Sequence, residues 1–293
     1  MYYLAYGFLY LVSLLPFFII YLISDFFYFL IYHVWGYRKD VVLNNLAIAF
    51  PEKSFEERKQ IAKQFYKNLI DNFIETIKLL SISKKQLQRR FTFNIELPNE
   101  QYNSGRNVQF HLGHFFNWEY ANLALSIASK YPVLVVYMPV VNKTIDKLFL
   151  KIRTRFNAKM IAATYYRRDF SPYSKGRYAI VFVADQNPGV TDNAYWSNFF
   201  NKPTPFVTGP EKNAKLNNCI VYYARFSKPK RGFYNLQFIM LTDEPRSLKE
   251  GELTKKMIRE LETSVKENPA IYLWSHRRWK HAFKPERHEK LMI

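Results

Sequence analysis

The sequence predicts an α/β fold: a mostly parallel sheet flanked by helices, with an N-terminal hydrophobic membrane-anchor helix. Three observations predict it. Leu4–Ser24 is a run of 21 residues without a formal charge. From residue 107 onward, short apolar runs alternate with longer stretches of helical periodicity, the pattern of strand–helix units building a parallel sheet. Residues 36–293 contain no internal repeat, Gly/Ser linker or low-complexity tract that would split them. The expected organisation is therefore a membrane anchor over residues 1–35 and one domain over residues 36–293.

Each element has a local reason. At 1.5 Å per residue, the uncharged run matches a hydrocarbon core of about 30 Å. Asp25 interrupts it, and "FFYFLIYHVW" carries the apolar character on to Trp35. No basic segment precedes the run and no small-residue cleavage site follows, which disfavours a signal peptide. The first basic residues are Arg38 and Lys39, so the positive-inside tendency keeps the remainder in the cytoplasm. Ser54 and Glu57 have capping-box spacing and open a long amphipathic helix. Ile61, Phe65, Leu69, Phe73 and Ile77 are its expected packing stripe. "NVQFHL", "PVLVVYMP", "AKMIAA" and "YAIVFVAD" read as strands, with "WEYANLALSIASK" and "NKTIDKLFLKIRTRF" as helices between them. "NNCIVYYARF" and "FYNLQFIML" flank the turn "SKPKRG" and form an antiparallel hairpin at the sheet edge. "LTKKMIRELETSVKEN" is a last amphipathic helix, stopping before Pro269.

Composition narrows the function classes. An apolar share of 48% with 18% aromatics excludes a disordered chain, and a net charge of +19 favours an acidic partner. No zinc-finger spacing or RNA-binding aromatic pattern points to nucleic acid, whereas a basic protein beside an apolar anchor suits anionic lipid. The single cysteine, Cys219, lies in an apolar run and precludes both an internal disulfide and a multi-cysteine zinc site. No other ligand spacing indicates a metal, and no cofactor is called for.

Ligands on such sheets bind beyond the carboxyl ends of strands. "FHLGH" and "VADQNPG" are both strand-end loops, so chemistry is sought there. His114 would precede a helix beginning near Asn117, and Glu119 in its first turn has two readings. Either it answers the positive helix end, or it reaches back to fix the His114 tautomer, freeing the other ring nitrogen to take a proton from a hydroxyl. The open helix start would offer N–H groups to an oxyanion or phosphate. His111, inside the strand, reads as a core histidine. Ser275–His276 is adjacent only in sequence, and Trp118 and Phe115 either pack or wall an apolar groove.

His-x-x-x-x-Glu resembles the signature of the glycerolipid acyltransferase superfamily, and the chain as a whole resembles the bacterial lipid A biosynthesis acyltransferases. "NNLAIAFPEKSFEER", "YMPVVNKTIDKLFLKIRTR", "VADQ", "TPFVTG" and "YLWSHRRWKH" carry the resemblance in order along nearly the whole chain. It implies a glycerolphosphate-acyltransferase-like fold, with residues 36–293 as the catalytic domain on the cytoplasmic side of a bacterial inner membrane. It also implies transfer of a fatty acyl group from acyl carrier protein to a hydroxyl of a lipid A precursor or related anionic lipid. His114 would be the general base and Glu119 its orienting partner. Arg153 and Arg155 would meet phosphate or the developing oxyanion; being two apart on a helix, they diverge, so one faces the site. Asp185 would support from the strand end. Asn142, Thr208, Gly209, Arg277 and Arg278 would bind substrate. Met138 stands where the family commonly has arginine, so one expected cation is missing. A lysophospholipid or aminolipid acceptor, or a catalytically silent membrane-binding protein, are the competing readings.

Overall fold

The computed structural model describes residues 2–293. Its N-terminal segment is not one helix but two, α1 (Tyr2–Leu14) and α2 (Phe17–Phe29), the latter continued by a π-helical stretch Leu30–Trp35. Pro16 makes the break: it has no N–H to donate and would clash with the preceding turn. It sits instead as the extended residue before α2. The expected 21-residue span is therefore interrupted, and Phe17–Trp35 is the stretch long and apolar enough to cross a membrane by length and composition. Asp25 does not end the helix; it lies within α2.

Next come α3 (Lys39–Ala49), α4 (Phe55–Lys78) and α5 (Lys84–Arg90). The capping box forms as read: Glu57 N–H donates to Ser54 Oγ, and Ser54 N–H donates to Glu57 Oε2 at 2.7 Å. The predicted stripe holds at Phe65 and Leu69 but not at Phe73, which is 52% exposed. Strict four-residue spacing drifts about 40° per step on a 3.6-residue helix. The stripe therefore turns off the buried face, which beyond Leu69 is filled by Ile70, Ile74 and the carboxylates Asp71 and Glu75.

The sheet follows, with β1 (Phe91–Phe93), α6 (Glu96–Glu100), β2 (Val108–Leu112), α7 (Trp118–Ala128), β3 (Val133–Tyr137), α8 (Lys143–Arg153), β4 (Lys159–Ala162), α9 (Tyr166–Phe170) and β5 (Ala179–Val183). A separate antiparallel pair, β6 (Tyr195–Phe199) and β7 (Lys202–Phe206), precedes α10 (Gly209–Asn217). The chain closes with β8 (Ile220–Lys230), β9 (Phe233–Thr242), α11 (Glu252–Glu267) and α12 (Pro285–His288). The seven-stranded order is β1-β9-β8-β2-β5-β3-β4. Only the β8–β9 pair is antiparallel, as the hairpin reading required, although its turn is tighter than expected: Arg231–Gly232, with Gly232 at φ +74°.

Side chains of β2 and β5 that face α7 join the main core. The opposite face, with Leu134, Ile161, Ile180 and Phe182, packs beneath α9. His111 is on that second face, buried, with Nε2 2.5 Å from Gln109 Nε2. Burial takes its pKa down to about 4, so it is a neutral core histidine. This has a measurable consequence. Between about pH 6.5, where an unfolded histidine titrates, and about 4, the unfolded chain binds a proton that folded His111 refuses. Stability is thus fully present above that window and falls as acid is added through it. His276, which burial also holds near 4, adds to the same loss. A melting temperature that stays level from pH 7 to pH 4 would contradict both.

Candidate active site

Parallel pairing builds the site. β2 and β5 run side by side with Leu112 opposite Val183. Their exits are therefore adjacent, and Ala184 N–H still donates to Leu112 O at 3.0 Å. One step further, His114 and Asp185 meet. His114 Nδ1 lies 2.5 Å from Asp185 Oδ1, while His114 N–H donates to Oδ2 at 3.0 Å. The carboxylate thus grips ring and backbone of one residue. Burial opposes the charge on Asp185, but the His114 ring and N–H and the Arg278 cation outweigh it and hold the carboxyl below its usual range. An ionised Asp185 fixes the proton on Nδ1, leaving Nε2 as the lone-pair nitrogen.

The loop carrying His114 has little freedom. A Cβ on Gly113 would lie 2.6 Å from Leu261 Cδ1 and 2.9 Å from Phe115 Cε2, so only glycine lets the loop rest on α11. Beyond it, Leu273 N–H donates to His114 O, and Phe116 N–H donates to Ile271 O. The "YLWSHRRWKH" block is therefore the clamp on the histidine loop. Asn45 Nδ2 in turn holds Trp274 O and His276 O.

Glu119 has a different partner from the one expected. Its carboxylate, 3% exposed, receives Arg153 through Nη2 at 2.6 Å and Nε at 3.0 Å, and Trp118 Nε1 at 3.0 Å. The ring of His114 is met by Asp185 instead. The α7 terminus is not open either: Asn117 Oδ1 accepts from both Glu119 N–H and Tyr120 N–H. Two of the oxyanion donors expected there are already occupied. Of the two arginines read as a pair, Arg153 is the one that reaches the cavity, kept charged because Glu119 outweighs the penalty of burial. Arg167 and Lys212 line it as well.

His114, Trp118, Glu119 and Arg153 line one cavity of about 980 Å³, at the upper end of the roughly 300–1,000 Å³ usual for ligand pockets. The lining draws on both faces of the sheet beyond its carboxyl edge. Phe91, Phe110, Leu125, Val181 and Phe238 make an apolar arm on the α7 side, and Tyr166, Phe170, Pro210 and Asn213 line the other. Gly209 opens α10 on the wall, while Thr208 precedes it without a capping bond.

The remaining sequence candidates have other employment. Arg155 points away, donating through Nη1 to Leu79 O at 2.6 Å. Asn142 spends Oδ1 capping α8. Arg277 is exposed outside the lining. Arg278 offers no free cation to phosphate: it is 1% exposed and donates to Asn187 Oδ1 and Pro205 O, with its guanidinium over the Phe206 ring. Burial lowers its pKa to about 10, which leaves it charged near neutrality, beneath Asp185. Tyr137, Gln186 and Asn187 line the cavity and were not singled out from sequence. Their place at or just past the ends of β3 and β5 was the available signal. Among the described residues, no group of His, Cys, Asp and Glu could hold a metal.

The family model for bacterial lipid A biosynthesis acyltransferases matches residues 1–281. The chain belongs to that family. It is 25% identical over 281 residues to the lipid A biosynthesis lauroyltransferase of Escherichia coli (strain K12), covering 94% of this chain and 90% of that one. It is 23% identical over 248 residues to the lipid A biosynthesis palmitoleoyltransferase of the same organism and to a lipid A biosynthesis acyltransferase of Shigella flexneri. Each of these two alignments covers 83% of this chain and 79% of the relative. Membership in this acyltransferase family makes acyl transfer the reaction class.

Proposed function

We propose that the protein moves a fatty acyl group from acyl carrier protein thioester to a hydroxyl of a lipid A precursor, with His114 as general base and Asp185 holding its tautomer. The observation that carries this is His114 on the wall of an apolar cavity, paired with the buried Asp185 behind it. Nε2 takes the hydroxyl proton as the oxygen attacks the thioester carbon. The C–S bond then breaks, and the imidazolium returns the proton to the leaving thiolate. No acyl-enzyme forms. Arg153, steadied by Glu119, meets a substrate phosphate or the developing oxyanion, with Arg167 and Lys212 as further cations on the cavity lining. The +19 charge suits an acidic donor protein. The lipid A names of the relatives support the acceptor. Incubation with defined acyl carrier protein thioesters and candidate acceptors, read by mass spectrometry, tests the substrates: acylated lysophospholipid with untouched lipid A precursor would refute them.

The same reading attaches the protein to the cytoplasmic leaflet of a bacterial inner membrane, with the anchor lying in plane. Supporting this, α2 packs Ile20 against Ile70 and Ile74 of α4, while Phe18, Leu22, Phe26 and Phe29 face outward and exposed. A helix bound along its length to a charged domain is poorly suited to cross hydrocarbon. Burying one such side chain is worth about 1.5–3 kcal/mol. Phe18→Asp with Leu22→Asp should therefore weaken binding to anionic vesicles at least tenfold in a flotation assay. Undiminished flotation would argue for a true span or for another anchor.

A further inference from the structure

Glu75 is fully buried in α4, outside the cavity, and the reaction above does not use it. Three donors converge on its carboxylate. Tyr21 of α2 donates its hydroxyl to Oε1 at 2.9 Å, and Tyr234 of β9 donates to Oε2 at 2.6 Å. Asn117 Nδ2 also donates to Oε2, at 3.1 Å. Asn117 is the N-cap of α7, and its Oδ1 accepts from the N–H groups of Glu119 and Tyr120. An amide can point either way, and a carboxylate accepts only. By taking the NH2 end, Glu75 turns the oxygen end of Asn117 onto the helix.

We propose that Glu75 is a positioning residue that orients the Asn117 amide and thereby the first turn of α7, which presents Trp118 and Glu119 to the cavity. Trp118 stands edge-on to the His114 ring with centroids 5.5 Å apart, and Glu119 carries Arg153, so a tilt of this turn moves both sides of the site. Through Tyr21, the same carboxylate ties α2 of the anchor to that turn. The inference rests on the assignment of acyl transfer to this cavity.

A reciprocal exchange tests it. Asn117→Asp sets a carboxylate against Glu75, whereas Glu75→Gln alone still offers its oxygen to Asn117 and Tyr234 by turning its NH2 group to the Tyr21 hydroxyl. Asn117→Asp should lose kcat on the order of tenfold to a hundredfold, the scale of a small misplacement near reacting atoms, and Glu75→Gln much less. KM for the acyl carrier protein thioester should change little, because the binding surfaces are untouched. In the double variant, the new amide turns to donate to the new carboxylate and to the Tyr234 hydroxyl, and most of the kcat lost in Asn117→Asp should return. A folded Asn117→Asp variant with wild-type kcat, or a double variant no better than Asn117→Asp alone, would overturn the proposal. If Asn117→Asp does not fold, Asn117→Ser gives the answer: serine still caps a helix but is too short for Glu75, so its kcat must fall. A wild-type kcat there is equally fatal. Activity that needs His114 yet ignores all of these substitutions sinks this inference alone; activity indifferent to His114→Ala sinks the base assignment instead.

Discussion

His114→Ala is expected to lower kcat by about 10²–10⁴-fold, the usual contribution of a positioned general base. The fold should survive, since the ring is partly exposed and its loop is held by backbone bonds to Ile271 and Leu273. Asp185→Asn should cost a comparable factor by another route. The asparagine NH2 would donate to Nδ1, push the ring proton to Nε2 and remove the lone pair that accepts the substrate proton. The asparagine oxygen can still accept from His114 N–H, so the loop stays in place. Rates at saturating acyl donor, with circular dichroism to confirm folding, decide it. Transfer unaffected by either change would sink the base assignment, and no transfer by the unaltered protein would leave a silent lipid-binding protein as the better description.

The second large effect concerns the Glu119–Arg153 pair. Removing one member of a buried ion pair typically costs about 3–5 kcal/mol, because the other is left uncompensated. The two ends are unequal here: the Glu119 side chain is 3% exposed and that of Arg153 18%. Arg153→Ala strands the deeper charge and should reach that range in urea denaturation, whereas Glu119→Gln, which keeps an acceptor for Trp118, should cost less. Activity separates this account from the sequence-based one. If Glu119 steadied the imidazole, Glu119→Gln would cost as much kcat as Asp185→Asn and well more than Arg153→Ala. With Asp185 in that post, Glu119→Gln acts through Arg153 and should cost no more kcat than Arg153→Ala. A Glu119→Gln loss equal to that of Asp185→Asn and well above that of Arg153→Ala would reinstate Glu119 as the partner of His114.

Much of the architecture could be read directly because local and global signals agree. Apolar runs of strand length alternate with amphipathic stretches, Ser54 and Glu57 cap as their spacing requires, and the β8–β9 hairpin sits where its turn residues put it. The β6–β7 pair escaped notice because Pro203 and Pro205 argue against a strand, and prolines are tolerated only at such unshared edges. His114 was legible as a strand-end histidine. Its partner was not, because two carboxylates competed: one five positions on in sequence, the other reached only when β2 pairs with β5. Strand neighbours in a parallel sheet are chosen by long-range packing, which no short motif encodes. Arg278 misled for a related reason. A run of basic residues looks the same whether it faces solvent or lies folded beneath a site, and only the acceptors at Asn187 and Pro205 tell the two apart.

The tip of the β8–β9 hairpin has a practical bearing. Arg231 clasps Asp25 and Asp71 at once, at 2.8 and 2.6 Å, and Ser24 donates to Asp71 from the same stretch of α2. Trimming the chain at Gly36 would thus do more than remove the proposed anchor: it would strip Ser24 from Asp71 and Tyr21 from Glu75, and uncover the flank of α4. On the membrane-attached reading proposed above, a water-soluble form is better sought by repainting Phe18, Leu22 and Phe26 with polar residues than by shortening the polypeptide.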